Sequence, residues 1–299
     1  MLALVAALLV VPGPVEHPRP MLSSAGAPLG TGFRWGVSGA LDEHEEGRKA
    51  SLVELDAGNA AFAGRDDPER LTEAIAHYGV AAASQPGEAT ALLALARAHA
   101  YRALAVPASA QDAWRDASRA AEQALTIAEP TLADVIDRGD APARVAAKVD
   151  AHGAEPLYWL ALATMGMAQA RGMVAVLAVK DEARAMMERA AELDDRIDFA
   201  GPHRALGVWL ATIPSAAGGG AGAARAQFER ARILFPAYQL NLVRDAETLA
   251  VLLQDRKRFE ALLGQVLAFD NASMPEIAPE NLLAKRLARK LLARRDRLF

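Results

Sequence analysis

The chain has 299 residues, of which 52% are hydrophobic and only 5% aromatic; this composition excludes wholesale disorder and argues against a β-sandwich or barrel. The 33 Lys and Arg residues are nearly balanced by 37 Asp and Glu residues, which excludes the strong positive charge of a typical nucleic-acid-binding protein. The absence of cysteine excludes disulfides, thiol nucleophiles, Cys-based metal sites and lipid attachment through cysteine. Alanine is abundant instead, which favours helices packed closely through small side chains.

The N-terminal segment begins with an unbroken apolar run from Leu2 to Val11. The run is too short to span a bilayer but suits the apolar part of a secretory signal, although no basic residue precedes it. We therefore predict an export segment over residues 1–20, with a disordered apolar N-terminus as the alternative. Residues 21–45 are predicted to form a linker because the segment is rich in Pro, Gly and Ser, and residues 46–299 to form a helical domain.

An acidic cluster follows the linker, from Asp42 to Glu46 around His44. It could bind a cation weakly, but we favour the acidic first turn of a helix that begins after Ser38 or Gly39. None of the six histidines falls in a metal-ligand spacing, so we expect no metal site and no cofactor.

Four segments share one pattern, in which two small residues flank a central residue at steps of four and three and a helix-stopping residue follows. Such a helix lets a neighbouring helix approach closely, as in the second half of a tetratricopeptide unit. The weakest copy has alanine in the central place. The copies are Ala74, Tyr78, Ala81 and Pro86; Ala117, Ala121, Ala124 and Pro130; Ala183, Met187, Ala190 and Asp195; and Ala224, Phe228, Ala231 and Pro236.

The spacing of these copies, 43, 66 and 41 residues (74 to 117 to 183 to 224), exceeds the regular period of about 34. Insertions are therefore expected, the largest over Pro130–Gly153 and a second over Ala216–Gly222. The pattern predicts an all-α fold, a tetratricopeptide-like array of about five antiparallel helix pairs in one α-solenoid.

The C-terminal segment Asn281–Phe299 is predicted to form an amphipathic helix with one leucine face and a basic remainder. It could touch a membrane surface or an acidic partner, but we favour a helix that caps the end of the array. The leucines are Leu282, Leu283, Leu287, Leu291 and Leu292.

A further set of segments, in this order along the chain, resembles the T component of tripartite ATP-independent periplasmic (TRAP) transporters, the TatT family. The resemblance covers roughly residues 50–299. The segments are Asp66-Asp67-Pro68-Glu69, Pro156-Leu157-Tyr158-Trp159-Leu160-Ala161, Gly201-Pro202-His203-Arg204-Ala205-Leu206-Gly207, Gly218-Gly219-Gly220 with Ala224–Ala231, Phe259–Leu263, Val266–Asp270 and Asn281–Ala284.

The resemblance implies a helical periplasmic protein that self-associates as trimers and docks the solute-binding subunit of a TRAP transporter. It also implies a channel that passes a small hydrophobic organic ligand. Two features depart from the family. Its members are commonly lipoproteins anchored through an N-terminal cysteine, which this sequence lacks, and their Gly-Gly-Asp motif is Gly219-Gly220-Ala221 here.

The ligand site is expected on the first helix of each pair, because these helices line the concave groove of tetratricopeptide arrays. This groove would be mostly apolar, with Arg204 and Glu247 as charged points, and would suit an amphipathic molecule. The alternative is that these two residues pair with each other or face solvent. Trp159 and Trp209 are expected to fill the core rather than form ligand walls. The groove candidates are Leu160, Thr164, Met167, Arg204, Val208, Ala211, Val243, Glu247 and Ala250.

Catalytic motifs are missing from the sequence. The glycine-rich stretch Gly218–Gly222 lacks the Gly-Lys-Ser/Thr ending of a phosphate-binding loop, and no nucleophile motif occurs. We therefore expect a non-enzymatic accessory component of a TRAP transport system, with a generic tetratricopeptide adaptor for protein partners as the alternative. An enzyme on a helical scaffold is the third hypothesis.

Overall fold

The computed structural model describes residues 37–138 and 140–299, and it describes side chains for residues 45–132, 134, 135, 138 and 140–299. The predicted export segment, residues 1–20, lies outside the described residues. No strand occurs among those described, and the predicted all-α helical array is confirmed. The helices are α1 (Val37–Phe62), α2 (Pro68–Ser84), α3 (Ala89–Ala105), α4 (Ala110–Ala128), α5 (Leu132–Asp137), α6 (Pro142–Ala146), α7 (Ala154–Arg171), α8 (Met173–Leu193), α9 (Ile197–Thr212), α10 (Ala221–Leu234), α11 (Leu240–Asp245), a π-helical segment (Ala246–Ala250), α12 (Arg256–Ala268), α13 (Ala278–Ala293) and α14 (Arg295–Leu298).

The first helix begins earlier than expected. It starts at Val37, inside the predicted linker 21–45, so the acidic residues from Asp42 onward follow its first turn instead of forming it. Residues Gly47 to Phe299 form one compact unit.

Successive helices of this unit pack in pairs. Helix α3 packs against α4, α7 against α8, α9 against α10, and the α11–π segment against α12. Helices α1 and α2 form a further pair, in which the Ser51 hydroxyl donates to the Ala81 carbonyl at 3.1 Å and the Tyr78 phenol donates to Asn59 Oδ1 at 2.9 Å. Short loops between partners make each pair antiparallel.

The repeated pattern marks the buried face of the second helix in each of four pairs. All twelve flanking and central residues of the copies are at most 2% exposed, as are Phe259, Leu263 and Val266, which follow the same steps of four and three in α12. The flanking alanines allow a close approach, and the central residue, where it is large, fills the space between helices.

Glycines on first helices receive the large central residues. A β-carbon on Gly207 would lie 2.8 Å from the Phe228 ring, and one on Gly58 would lie 2.5 Å from the Tyr78 ring. Real β-carbons do not approach rings so closely, so these positions require glycine for packing rather than for backbone conformation.

We predict that Gly207→Ala destabilises the protein by about 1–3 kcal/mol, because the added methyl must displace the buried Phe228 ring. Gly264→Ala is the matched control, since Gly264 is an exposed residue of α12 and a β-carbon there meets nothing within 4 Å. That change is expected to stabilise by about 0.5–1 kcal/mol through helix propensity. Urea unfolding of both variants is the measurement, and two shifts of the same sign would contradict the packing argument.

The two predicted insertions differ in structure. The first contains the short helices α5 and α6, and α6 packs on α8, where Arg189 Nη2 donates to the Val149 carbonyl at 2.8 Å. The second is a tight loop in which Gly218 has a positive φ of 94°. A β-carbon on Gly219 would lie 1.9 Å from the Ile213 carbonyl oxygen. The glycine-rich stretch thus shapes a close turn before α10.

The C-terminal helix α13 packs on α12 and α11. Leu283 and Leu291 are buried, Leu287 and Leu292 are partly buried, and Leu282 is 38% exposed. Most of the leucine face is therefore covered by the protein itself, as expected for a helix that caps the array. Asn281 is fully buried, and its side-chain oxygen accepts a hydrogen bond from the backbone N–H of Gln239 at 2.9 Å.

The first and last helix pairs of the unit share one hydrophobic core. Phe62 of α1, Leu71 of α2 and Tyr101 of α3 belong to the same buried cluster as residues of α11, α12 and α13. The Tyr101 phenol also donates to the Pro279 carbonyl at 3.3 Å. The array from Gly47 to Phe299 therefore closes on itself, which the repeat pattern alone does not predict.

A buried ion pair joins the two ends of this closed array. Arg65, in the turn after α1, donates from Nε to Glu280 Oε1 at 2.7 Å and from Nη2 to Glu280 Oε2. Its Nη1 donates to the Phe62 carbonyl at 2.9 Å, and both charged residues are only 4% exposed. Such a bidentate ion pair fixes the relative position of α1 and α13.

Candidate functional site

The closed array surrounds a cavity of about 270 Å³. Its walls come mainly from the first helices of successive pairs, α3, α7, α9 and α11, with contributions from α1, α4 and α13. The lining residues are Phe62, Arg97, Ala100, Tyr101, Leu104, Trp114, Trp159, Leu162, Met165, Gly166, Gln169, Ala170, Asp198, Arg204, Ala205, Val208, Tyr238, Leu240, Arg244 and Glu280.

The α7 side of the cavity is apolar and tightly built. Trp114 of α4 lies against Gly166 of α7, where a β-carbon would come within 2.4 Å of the indole. Trp159, Leu162 and Met165 complete this wall. Two indoles and a thioether offer a surface suited to an apolar organic body.

A second, adjacent cavity of about 200 Å³ shares Arg97, Trp159 and Asp198 with the first and reaches Glu155 and Arg196. Glu155, at the start of α7, is exposed, as is Gln169 in the wall of the first cavity near the end of α7. The two positions are fourteen residues apart, which corresponds to about 21 Å along a helix. The two cavities therefore follow α7 and have exposed wall residues at both of its ends.

A left-handed turn forms part of the wall at the start of α9. Asp198, Phe199 and Ala200 have φ values of 47°, 56° and 62°, although none is glycine. Each such residue costs about 1–2 kcal/mol, so the surrounding structure must hold the turn. The Phe199 ring stacks on Tyr238 at a centroid distance of 4.8 Å.

Arg204 supplies most of the polar contacts that hold this turn. Its guanidinium donates to the Asp198 carboxylate, to the Asp198 and Phe199 carbonyls at 3.2 and 3.3 Å, and to Asn241 Oδ1 at 3.1 Å. Its Cζ also lies 4.8 Å from the centroid of Tyr238. Arg204 is 8% exposed, so these contacts replace water for a buried charge.

Burial and the Asp198 charge shift the pKa values of Tyr158 and Arg204. Burial, followed by the Asp198 charge, raises the pKa of Tyr158 well above its usual value, so the phenol remains a donor to Asp198 Oδ2 at 2.7 Å. Burial works to lower the pKa of Arg204, but Asp198 and the neighbouring phenols outweigh it and the pKa is raised. Arg204 thus stays protonated in spite of its burial.

Arg97 differs from the other charged residues of the wall. Arg204 pairs with Asp198, Arg244 with Glu247 at 2.5 Å, and Glu280 with Arg65. Arg97 makes neither a hydrogen bond nor an ion pair with any described residue, and its Cζ lies 4.9 Å from the Phe62 ring centroid. A stacked guanidinium keeps the N–H groups of its edge free.

The predicted groove residues divide into those at the cavity and those elsewhere. Arg204 and Val208 line it, but Leu160, Thr164, Met167, Val243 and Glu247 do not. Leu160 and Met167 pack against the core, the Thr164 hydroxyl donates to the Leu160 carbonyl at 2.9 Å, and Val243 is fully buried. The alternative that Arg204 and Glu247 pair with each other is wrong, since their partners are Asp198 and Arg244. The two further candidates, Ala211 and Ala250, are also absent from the wall.

The two tryptophans expected to fill the core, Trp159 and Trp209, lie in different environments. Trp209 is fully buried in the core and donates to the Lys180 carbonyl at 3.3 Å, as expected for a core residue. Trp159 instead lines both cavities. Sequence reasoning also missed Arg97 of α3, although a single arginine in the Ala- and Leu-rich run Ala89–Ala98 was a usable signal.

The described residues contain no group of three His, Cys, Asp or Glu side chains placed to hold a metal ion. Among the described helices, none combines the length and apolar character needed to cross a bilayer. The site therefore consists of an apolar wall, a buried polar network and one stacked arginine.

Comparison with known proteins identifies the family. No curated protein matches the chain. The sequence profile of the TRAP transporter T-component family, however, matches residues 71–299, a range that includes α3 to α13 and nearly all of the cavity wall. The resemblance inferred from the ordered segments is confirmed, and the chain belongs to the TRAP transporter T-component family.

Proposed function

We propose that this accessory component of a TRAP transport system acts in the periplasm, docks the solute-binding subunit and passes a small hydrophobic organic ligand through its cavity. The observation that carries the proposal is the cavity itself, in a chain of the T-component family. Its Trp- and Met-lined wall favours an apolar ligand, and exposed residues at both ends of α7 suit entry at one end and release at the other.

The closed array also bears on the alternative, a generic tetratricopeptide adaptor. Such an adaptor holds a peptide in an open concave face. Here the corresponding space is bounded on the far side by α11 and α13, joined to α1 through Arg65 and Glu280. A cavity of about 270 Å³ inside a closed array favours a small molecule over an extended peptide.

The test combines a docking measurement with native mass spectrometry of the full-length protein. We expect a complex with a purified TRAP solute-binding protein and none with the binding protein of a different transporter class. Native spectra are expected to show a homotrimer that carries a co-purified small organic molecule. An empty monomer that binds neither protein would contradict the proposal and favour the adaptor.

A further inference from the structure

Most charged residues of the cavity wall have an ion-pair partner, but one does not. Two of its three arginines have a carboxylate partner, Arg204 through Asp198 and Arg244 through Glu247, and both of its carboxylates have an arginine partner. Among the three arginines of the first cavity, only Arg97 has no such partner in the part of the chain that the structure describes. The balance of the wall therefore leaves one positive charge for whatever occupies the cavity.

The position of Arg97 suits contact with a ligand. It lies in the middle of α3, is half-buried, and lines both cavities together with Trp159. The Phe62 ring lies beneath its guanidinium at 4.9 Å, a contact that uses the face of the group and leaves its planar set of donors available. Anionic groups with two coplanar oxygens, such as a carboxylate, match the geometry of such a fork of donors.

We infer that Arg97 binds an anionic headgroup, and that the ligand of this protein is an amphipathic monoanion whose apolar body lies along the Trp114–Trp159 wall. This inference deepens the proposed function and rests on it, because it takes the cavity to be the ligand site. The Asp198 carboxylate does not oppose an anion at this point, since Arg204 and the Tyr158 phenol already neutralise and bind it.

The test measures the binding of octanoate, 1-octanol and octylamine to the full-length protein by calorimetry. The three probes share one apolar chain and differ only in headgroup charge. We expect octanoate to bind more tightly than octanol, and octylamine more weakly. Arg97→Gln is expected to weaken octanoate by about 10- to 100-fold, the range for a lost charged hydrogen bond, and to leave octanol nearly unchanged.

Arg102→Gln is the matched control, because it removes the same charge from the same helix but does not line either cavity. It is expected to leave all three affinities unchanged. Arg97→Lys, which keeps the charge but loses the planar fork, is expected to retain part of the preference for octanoate and serves if the glutamine variant does not fold.

The outcomes distinguish the inference from the proposed function. Equal binding of octanoate and octanol, or an Arg97→Gln variant with unchanged octanoate affinity, would overturn the anion site while leaving an apolar ligand cavity. Preference for octylamine would overturn it as well. If no probe binds the wild-type protein, both the anion site and the proposed role of the cavity as a ligand site are wrong. Docking to the solute-binding protein is measured separately and is not affected by this outcome.

Discussion

Replacing Arg204 with alanine is expected to lower the free energy of unfolding by about 3–5 kcal/mol, the range for removing one partner of a buried ion pair. The variant leaves the Asp198 carboxylate without its cation. It also removes the donors that satisfy the Asp198 and Phe199 carbonyls in the left-handed turn. Urea unfolding followed by circular dichroism is the measurement.

Two control variants separate the causes of that loss. Arg115→Ala removes an arginine from an exposed ion pair with Asp112, which is worth at most about 1 kcal/mol. Arg204→Lys keeps the charge but cannot reach all the acceptors together, so an intermediate loss is expected. If Arg204→Ala costs no more than Arg115→Ala, the stacking of Phe199 on Tyr238 holds the turn, and the assigned role of Arg204 is wrong.

Glu280→Ala is expected to cost a similar 3–5 kcal/mol, because Arg65 would remain buried without its carboxylate. The change also removes the ion pair between the first and last helix pairs. We therefore expect faster hydrogen exchange in the first turn of α13 and in the turn that contains Arg65. Unfolding and exchange are both measured on the full-length protein.

Glu276→Ala is the matched control for this variant. Glu276 lies four residues before Glu280, just ahead of α13; its side chain is exposed, and its carbonyl accepts a hydrogen bond from Arg65. A loss within about 0.5 kcal/mol is expected for it. Equal effects of the two variants would mean that apolar contacts around Phe62 and Tyr101 close the array without help from the ion pair.

The helix pairs were predictable because their signal is local. Steps of four and three between small and large residues place those side chains on one helix face, and that face is buried in every copy. Closure of the array was not predictable, because it depends on Arg65 and Glu280, two ordinary charged residues 215 positions apart. Nothing in either local sequence indicates the partner.

The site was only partly predictable, since one residue of error turns a helix face by 100°. The predicted row on α7 began at Leu160, whereas the cavity is lined by Trp159, Leu162 and Gly166. Arg204 was found because it and Glu247 were the two charged residues on a mostly apolar predicted face. Its partner Asp198 could not be predicted, because Asp198 reaches Arg204 only through a left-handed turn, and that turn contains no glycine to indicate it.

The closed form of the array fixes how many repeats this protein can have. An open solenoid can gain or lose a unit, since each repeat contacts only its neighbours. In this protein an added helix pair would separate Glu280 from Arg65 and would break the contacts of the shared core around Tyr101. We therefore expect natural length variation to fall in the connections, such as residues 129–153, and duplication or deletion of a whole pair to be incompatible with the fold.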